Sequence, residues 1–366
     1  MWDFSWLERR WPGAGYEDWD AALDELAERG YDSVRIDAYP HLVAVDGERP
    51  WDLVMVWNQT SWGAQSPITV RRVLPQLLEF IRRAAEHDID VALSTWFRED
   101  TDDVRMRLRT PEAHAEAWLT VLRAIDGAGL LDRIVYVDLC NEFPMRIWAP
   151  FVFGPDEGDV PSRTDPRIVE WMEHSIGTLR AEYPDLAYTY SFASELDTWS
   201  EQDVSMLDML EPHVWMSSTR DEKYNNAVGY HFEKFGPGDF ENLVKNGRHE
   251  YEENQAAYDA ALFERIDSMA QWSRTSGLPL FTTECWAIVD YKDWPGLDWD
   301  WVMDLNARAV EYALETRRWV GMATSNFCGP QFVGMWRDVE WHRRLTSAIH
   351  QARPDVALGS LTAENR

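Results

Sequence analysis

Residues 133–142 read RIVYVDLCNE, and the alternation in this stretch points to the fold. Val135, Val137 and Leu139 fall on one face of a strand; Tyr136, Asp138, Cys140 and Glu142 fall on the other, the period of two that an extended chain imposes. The apolar face suits packing against helices, and the mixed face ends on an inward carboxylate. Upstream, residues 111–125 carry apolar positions at helical spacing, so this strand follows a helix. The same unit recurs along the chain. A helix at 19–27, stopped by Gly30, precedes a strand at 33–38 (SVRIDA), and a helix at 68–86 precedes a strand at 89–96. Helix 168–182 leads to strand 186–193, a short helical stretch at 201–207 to strand 209–217, and helix 255–275 to strand 278–286 (LPLFTTECW). Helix 301–317, strand 320–327 and a last helix at 339–352 complete the series. With a short opening strand near 3–6, eight strands alternate with helices. That rhythm predicts an α/β chain closed into a (β/α)8 TIM barrel in preference to an open doubly wound sheet. No GxGxxG or GxxxxGK[ST] follows any of these strands, so the phosphate-cradling loops of the open fold are missing.

No linker or low-complexity segment divides the chain, which predicts one barrel over 1–352 and a polar tail over 353–366. Long connections at 40–67, 143–165, 218–253 and 288–300 all follow strands. In a barrel such insertions wall the carboxyl-terminal face, where a site belongs. The long fourth, sixth and seventh loops suggest a pocket closed on one side and hence cleavage at a chain end.

Composition excludes other classes. Of 366 residues, 27% are charged and 45% hydrophobic, the balance of a globular protein. Lys and Arg number 35 against 64 Asp and Glu, and the resulting −29 repels nucleic acid and anionic membrane surfaces. The ligand is expected to be neutral or cationic. Cys140, Cys285 and Cys328 are odd in number and show no CxxC or Cys/His spacing, so they read as reduced packing residues. Neither HxH nor HExxH appears, and neither metal nor cofactor is expected. No window approaches a membrane span, and the opening MWDFSWLERRWPG lacks a signal-like apolar run, so the expected location is cytoplasmic unless a leader has been trimmed. There are 21 Trp, more indole than one core requires, and the indole face suits the C–H faces of sugar rings.

Glu142 ends the fourth predicted strand. In the seventh, Leu280, Thr282, Glu284 and Trp286 share a face, so Glu284 ends a second strand pointing to the same axis. A charge there is costly unless function or a partner retains it. Cleaving a glycosidic bond needs such a pair, one carboxyl to protonate the leaving oxygen and one carboxylate to attack or stabilise the anomeric carbon.

In these features the chain resembles the clan of retaining (β/α)8 glycoside hydrolases, and within it the sugar-binding cellulase-like branch. Asn141-Glu142 is similar to that clan's acid/base signature and Glu284 to its nucleophile. Arg35 in VRID resembles the branch's second-strand arginine, and His213 in EPHVW its sixth-strand histidine. The sequence departs from the branch at Ser94-Thr95-Trp96, where histidine is common. It departs again at Trp215, where an aromatic hydroxyl is common, and at Ser325-Asn326-Phe327, where Trp is usual. The resemblance implies a retaining hydrolase of a neutral glycoside, with no cofactor and a carbohydrate as its partner; oligomeric state is unassigned.

Roles and rivals follow. Arg35 would keep Glu284 ionised, or else form an internal ion pair with Asp37 or Asp138. Asn141 would bond a sugar hydroxyl or cap a turn; His213 would contact substrate, orient a carboxylate or be a satisfied core histidine. Trp96, Trp215 and Trp286, at strand ends, are candidate sugar platforms, with Asn326 as a further substrate contact, whereas Trp19 and Trp118 belong to the core. Tyr39, His41, Arg98, Tyr224 and Asp290 are expected on the rim. The rival functions are a carbohydrate-binding protein without turnover and a barrel isomerase or lyase using one carboxylate.

Overall fold

The computed structural model describes residues 1–55, 68–153, 161–231, 236–289, 291, 293–326 and 329–358. Its strands are β1 (Ser33–Asp37), β2 (Pro50–Leu53), β3 (Ile68–Arg71), β4 (Asp90–Ser94), β5 (Ile134–Asp138), β6 (Tyr188–Thr189), β7 (Val214–Trp215), β8 (Leu280–Thr282), β9 (Cys285–Trp286) and β10 (Trp319–Met322). β1, β4, β5 and β6 form one parallel sheet in that order. Parallel bridges extend it: Trp2 pairs with Arg35 ahead of β1, Phe192 with Pro212 beyond β6, and Leu210 with Leu280 into β8. β7 pairs with β9 and β8 with β10, both parallel. Trp2 Nε1 donates to Asn326 Oδ1 at 2.9 Å just past β10, bringing the last strand back beside the first. This is the (β/α)8 architecture, with parallel strands inside and helices outside.

The strands are short, and their ends carry the departures from the sequence reading. The opening strand lies at Trp2. Residues Phe4–Leu7 instead form a 3-10 helix, because the Asp3 carboxylate caps it by accepting from the Ser5 backbone N–H at 2.6 Å. Residues 68–71, expected to be helical, form β3, antiparallel to β2. Ile68 and Val70 are buried while Thr69 and Arg71 are exposed, an alternation that only a strand satisfies. The helix begins at Val73 after Arg72 turns through φ +53°. The helical stretch expected at 201–207 lies earlier, as a 3-10 helix over Leu196–Glu201. The polar excursion after residue 218 carries the helices Lys223–Val228 and Pro237–Asn242.

Helix starts follow their local chemistry. Thr110 and Asp165 accept from the Ala113 and Arg167 N–H groups, each ahead of a proline that has no N–H to satisfy. Trp19 and Trp118 are core residues as predicted, Trp19 edge-on to Phe80 at 5.3 Å. Among the described residues no helix is long and apolar enough to cross a membrane.

Candidate active site

β5 ends at Asp138, and the chain bends before Glu142. The Leu139 carbonyl is gripped by the helix Pro111–Gly127: Trp118 Nε1 donates to it at 2.9 Å and His114 Nε2 at 3.1 Å. Trp171 Nε1 donates to His114 Nδ1 at 2.9 Å, which leaves Nε2 as the protonated nitrogen. From this anchored turn Asn141 and Glu142 both reach the cleft, Glu142 with φ +48° and its N–H donating to Ser191 Oγ at 2.9 Å. Glu142 is therefore aimed by a turn, and the strand alternation stops four residues short of it. Glu284 is placed alike, between β8 and β9, so the consecutive residues Thr283 and Glu284 both meet Arg35.

Arg35 is the hub and is buried. Its Nη1 donates to Glu284 Oε1 at 3.1 Å and Thr283 Oγ1 at 3.2 Å. Its Nη2 donates to Asp138 Oδ2 at 2.5 Å, Asn141 Oδ1 at 2.8 Å and Ser94 Oγ at 2.9 Å. Nε lies 3.6 Å from Glu211 Oε1. Of the two acidic partners considered for it, Arg35 meets Asp138; Asp37 instead accepts the backbone N–H groups of Tyr39 and Trp96.

His213 joins the two glutamates. Its Nδ1 is 2.9 Å from Glu142 Oε1 and 3.6 Å from Glu284 Oε2. Two carboxylate oxygens face Nδ1, so Nδ1 is assigned the proton and donates to Glu142. Burial holds the His213 pKa below its ordinary value, which keeps the ring neutral. Trp148 Nε1 donates to Glu142 Oε2 at 3.1 Å. Glu142, His213 and Glu284 offer one ligand atom each within 4.8 Å of one another, the one such cluster of potential metal ligands among the described residues. With Nδ1 at hydrogen-bond distance from Glu142, the arrangement suits a carboxyl pair bridged by a histidine.

The two carboxyls differ in environment. Burial pushes Glu284 well above the ordinary glutamate range, and the Glu142 charge adds to it, with Arg35 opposing. Burial also raises Glu142, but the N–H groups of His213 and Trp148, with Arg35, outweigh it and hold Glu142 below its ordinary value. The two shifts run in opposite directions, so a single proton on the pair favours Glu284 over Glu142.

The remaining predicted residues divide. Asn141 Nδ2 is buried without a hydrogen-bond partner, while its Oδ1 accepts from Arg35. Trp96 is no sugar platform: Trp2 stacks on it at 5.6 Å, the Arg35 guanidinium lies 4.6 Å from its centroid, and 1% of it is exposed. Nor is Trp286, wholly buried edge-on to Trp319 with its N–H on the Ala323 carbonyl. Trp215, at the end of β7, is buried too. Asn326 is consumed by the fold, accepting from Trp2 and donating to Val289 O at 2.6 Å. Tyr39, His41, Arg98 and Tyr224 are buried within the protein, not on a rim: Arg98 and Tyr39 both bond Glu8, His41 the Arg98 carbonyl and Tyr224 the Gly247 carbonyl. Cys140 and Cys285 are buried in the core. Asp290, Phe327 and Cys328 lie outside the described residues. Sequence reasoning missed Glu211, Trp148, Ser191 and Thr283. Glu211 was within reach, because it shares strand parity with His213 in EPHVW.

Comparison with known proteins adds the family. Residues 1–350 match the model of the sugar-binding cellulase-like family. A structure from Parabacteroides distasonis with a provisional glycoside hydrolase designation is 49% identical, covers 100% of this chain and 96% of its own, and superposes with a TM-score of 0.93. A GH5_18 protein from Bifidobacterium longum (15% identity, 96% and 77% coverage, TM-score 0.56) shares the fold. So does a hyperthermophilic endo-β-1,4-glucanase solved with substrate (14% identity, 90% and 88% coverage, TM-score 0.54). No curated protein matches.

Proposed function

We propose that this chain, which belongs to the sugar-binding cellulase-like family, hydrolyses a neutral glycoside with retention of anomeric configuration. The observation that carries the reading is the pair Glu142, half-buried, and Glu284, buried, set in one cleft, bridged by His213 and with facing atoms within 4.8 Å. Retaining enzymes hold their carboxyls roughly 5 to 5.5 Å apart, whereas inverting enzymes leave a wider gap for water. The glycoside hydrolase designation of the P. distasonis relative supports the same reaction class.

The resting proton arrangement gives substrate a task. A glycosidic oxygen entering beside Glu142 accepts but cannot donate, so only protonated Glu142 bonds it. Binding therefore favours passage of the shared proton from Glu284 to Glu142, leaving Glu284 anionic beside Arg35. Glu284 attacks the anomeric carbon while Glu142 gives its proton to the departing oxygen. Glu142 then takes a proton from water, which releases the sugar from Glu284. The orphan Asn141 Nδ2 is placed to donate to a sugar hydroxyl next to the reacting carbon, and Trp215 offers its N–H from the end of β7.

The test is a panel of 4-nitrophenyl glycosides, with the product anomer followed by NMR. Retention is expected, and Glu284→Gln is expected to cut turnover by about a thousandfold or more without loss of fold. Inverted product, or near-normal turnover in that variant, overturns the assignment.

A further inference from the structure

Glu211 takes no part in the mechanism above, yet it is wholly buried beside Arg35, the cation that bonds the nucleophile. The charge count is the difficulty. Asp138, Glu211 and Glu284 all lie within 3.6 Å of the Arg35 guanidinium, so three carboxyls face one positive charge in a site closed to water. Buried charge without a counterion is costly enough that one group neutralises instead. Asp138 is not that group. It accepts from Arg35 at 2.5 Å, Ser94 Oγ at 2.7 Å, and both the N–H and Oγ of Ser191 at 2.9 Å, four donors that suit only the anion. Glu284 carries its proton only until substrate draws it to Glu142, and must be anionic to attack, so it is not the permanently neutral group.

Glu211 has the weakest hold on Arg35. Its Oε1 accepts from Thr283 Oγ1 at 2.5 Å, and its other oxygen is buried without a geometrically sound donor, facing the Tyr136 hydroxyl. We propose that Glu211 is a positioning residue held as the neutral carboxylic acid, so that the single charge of Arg35 is left to Asp138 and Glu284 and the nucleophile can ionise.

The groups facing Glu211 are Arg35 from β1, Tyr136 and Asp138 from β5, and Thr283 and Glu284 between β8 and β9, with His213 next on its own segment. Burial, with Asp138 adding and Arg35 opposing, pushes Glu211 up to about 7, and a charge on Glu211 in turn raises Glu284. Ionisation of Glu211 would therefore return the proton to Glu284 and silence the nucleophile. The site would work only while Glu211 keeps its proton.

This inference rests on the glycosidase reading, and the experiment separates the two. On the best aryl glycoside of the panel, wild-type log(kcat/KM) is expected to fall on the alkaline side with the loss of two protons, the one shared by Glu142 and Glu284 and the one on Glu211. Glu211→Gln, which keeps shape and stays neutral, should show the loss of one, with activity on the acidic side reduced by less than about tenfold. Thr283→Val removes the hydroxyl that favours the ionised form and should move the same limb upward. Infrared difference spectra, wild type minus Glu211→Gln at about pH 5.5, should show a protonated-carboxyl band that fades by about pH 8.5. An identical limb in wild type and Glu211→Gln, absence of that band, or loss of activity by about a hundredfold at every pH in folded Glu211→Gln overturns the proposal. If Glu284→Gln proves active while the band persists, the glycosidase reading fails and neutral Glu211 stands.

Discussion

Trp148 reaches Glu142 from the loop after β5, and its indole N–H meets the oxygen that His213 leaves free. A donor of this kind steadies the anion and does nothing for the acid, so removing it favours protonation. Trp148→Phe is expected to move the alkaline limb of kcat/KM to higher pH, with a loss of no more than about tenfold near the optimum. A limb that stays in place would mean that Trp148 merely fills space. The residue scale also shows what strand parity can find. Arg35, Asn141, Glu142, His213 and Glu284 stood out in the sequence because each lies within or next to an apolar strand, where a polar side chain needs a reason, although turns beyond β5 and β8 aim the two glutamates. Trp148 was not, since a loop residue reaches its partner through a turn geometry the local sequence does not encode. The three strand-end tryptophans failed as platforms for a related reason. Whether an indole face is open depends on neighbours far along the chain, and Trp2 covers Trp96 from 94 residues away in sequence.

Gly30 was legible as the stop of the helix Trp19–Glu28, and the structure adds a second constraint on it. Its φ is +80°, and a Cβ built there would sit 2.6 Å from Thr346 Oγ1, whose hydroxyl bonds the Arg29 carbonyl. The first helix and the last are thus pinned where glycine alone fits. Gly30→Ala is expected to cost about 1 to 3 kcal/mol, from the left-handed backbone and the clash together, read as a lower urea midpoint. Activity per folded molecule should hold, because Gly30 precedes β1, at the end of the barrel away from Glu284; an unchanged midpoint would mean that Thr346 yields freely. Elements with strong periodicity, such as β1, β4 and the helix Pro111–Gly127, lay where the pattern put them. The misreadings fell on 3–6, 68–71 and 201–207, short stretches where a cap, a hairpin partner or a left-handed residue overrides local period.

At the scale of the whole molecule, opposing sets of buried groups set stability against pH. Asp37 and Glu211 are pushed up to about 7, and Asp3 and Glu284 also stand above their ordinary values, in each case chiefly by burial. The native state holds protons there that the unfolded chain releases above about pH 4.5, so this stability is full at low pH and is lost as pH rises through about 7. Four buried histidines, His213 among them, act the other way. Burial lowers His41 to about 3, and His114 and His342 to about 4, so their contribution is present above about pH 6.5 and is lost on acidification. Between about pH 4.5 and 6.5 the two sets largely cancel. Above that window the histidines are neutral in both states and only the carboxyls still titrate, while the net charge of −29 adds self-repulsion. Stability is therefore expected to fall from about pH 6 to pH 8, measured as a lower urea midpoint at the higher pH. Glu211→Gln should flatten part of that fall, and a midpoint that climbs over the same interval would show that the buried carboxyls are already ionised in the native protein.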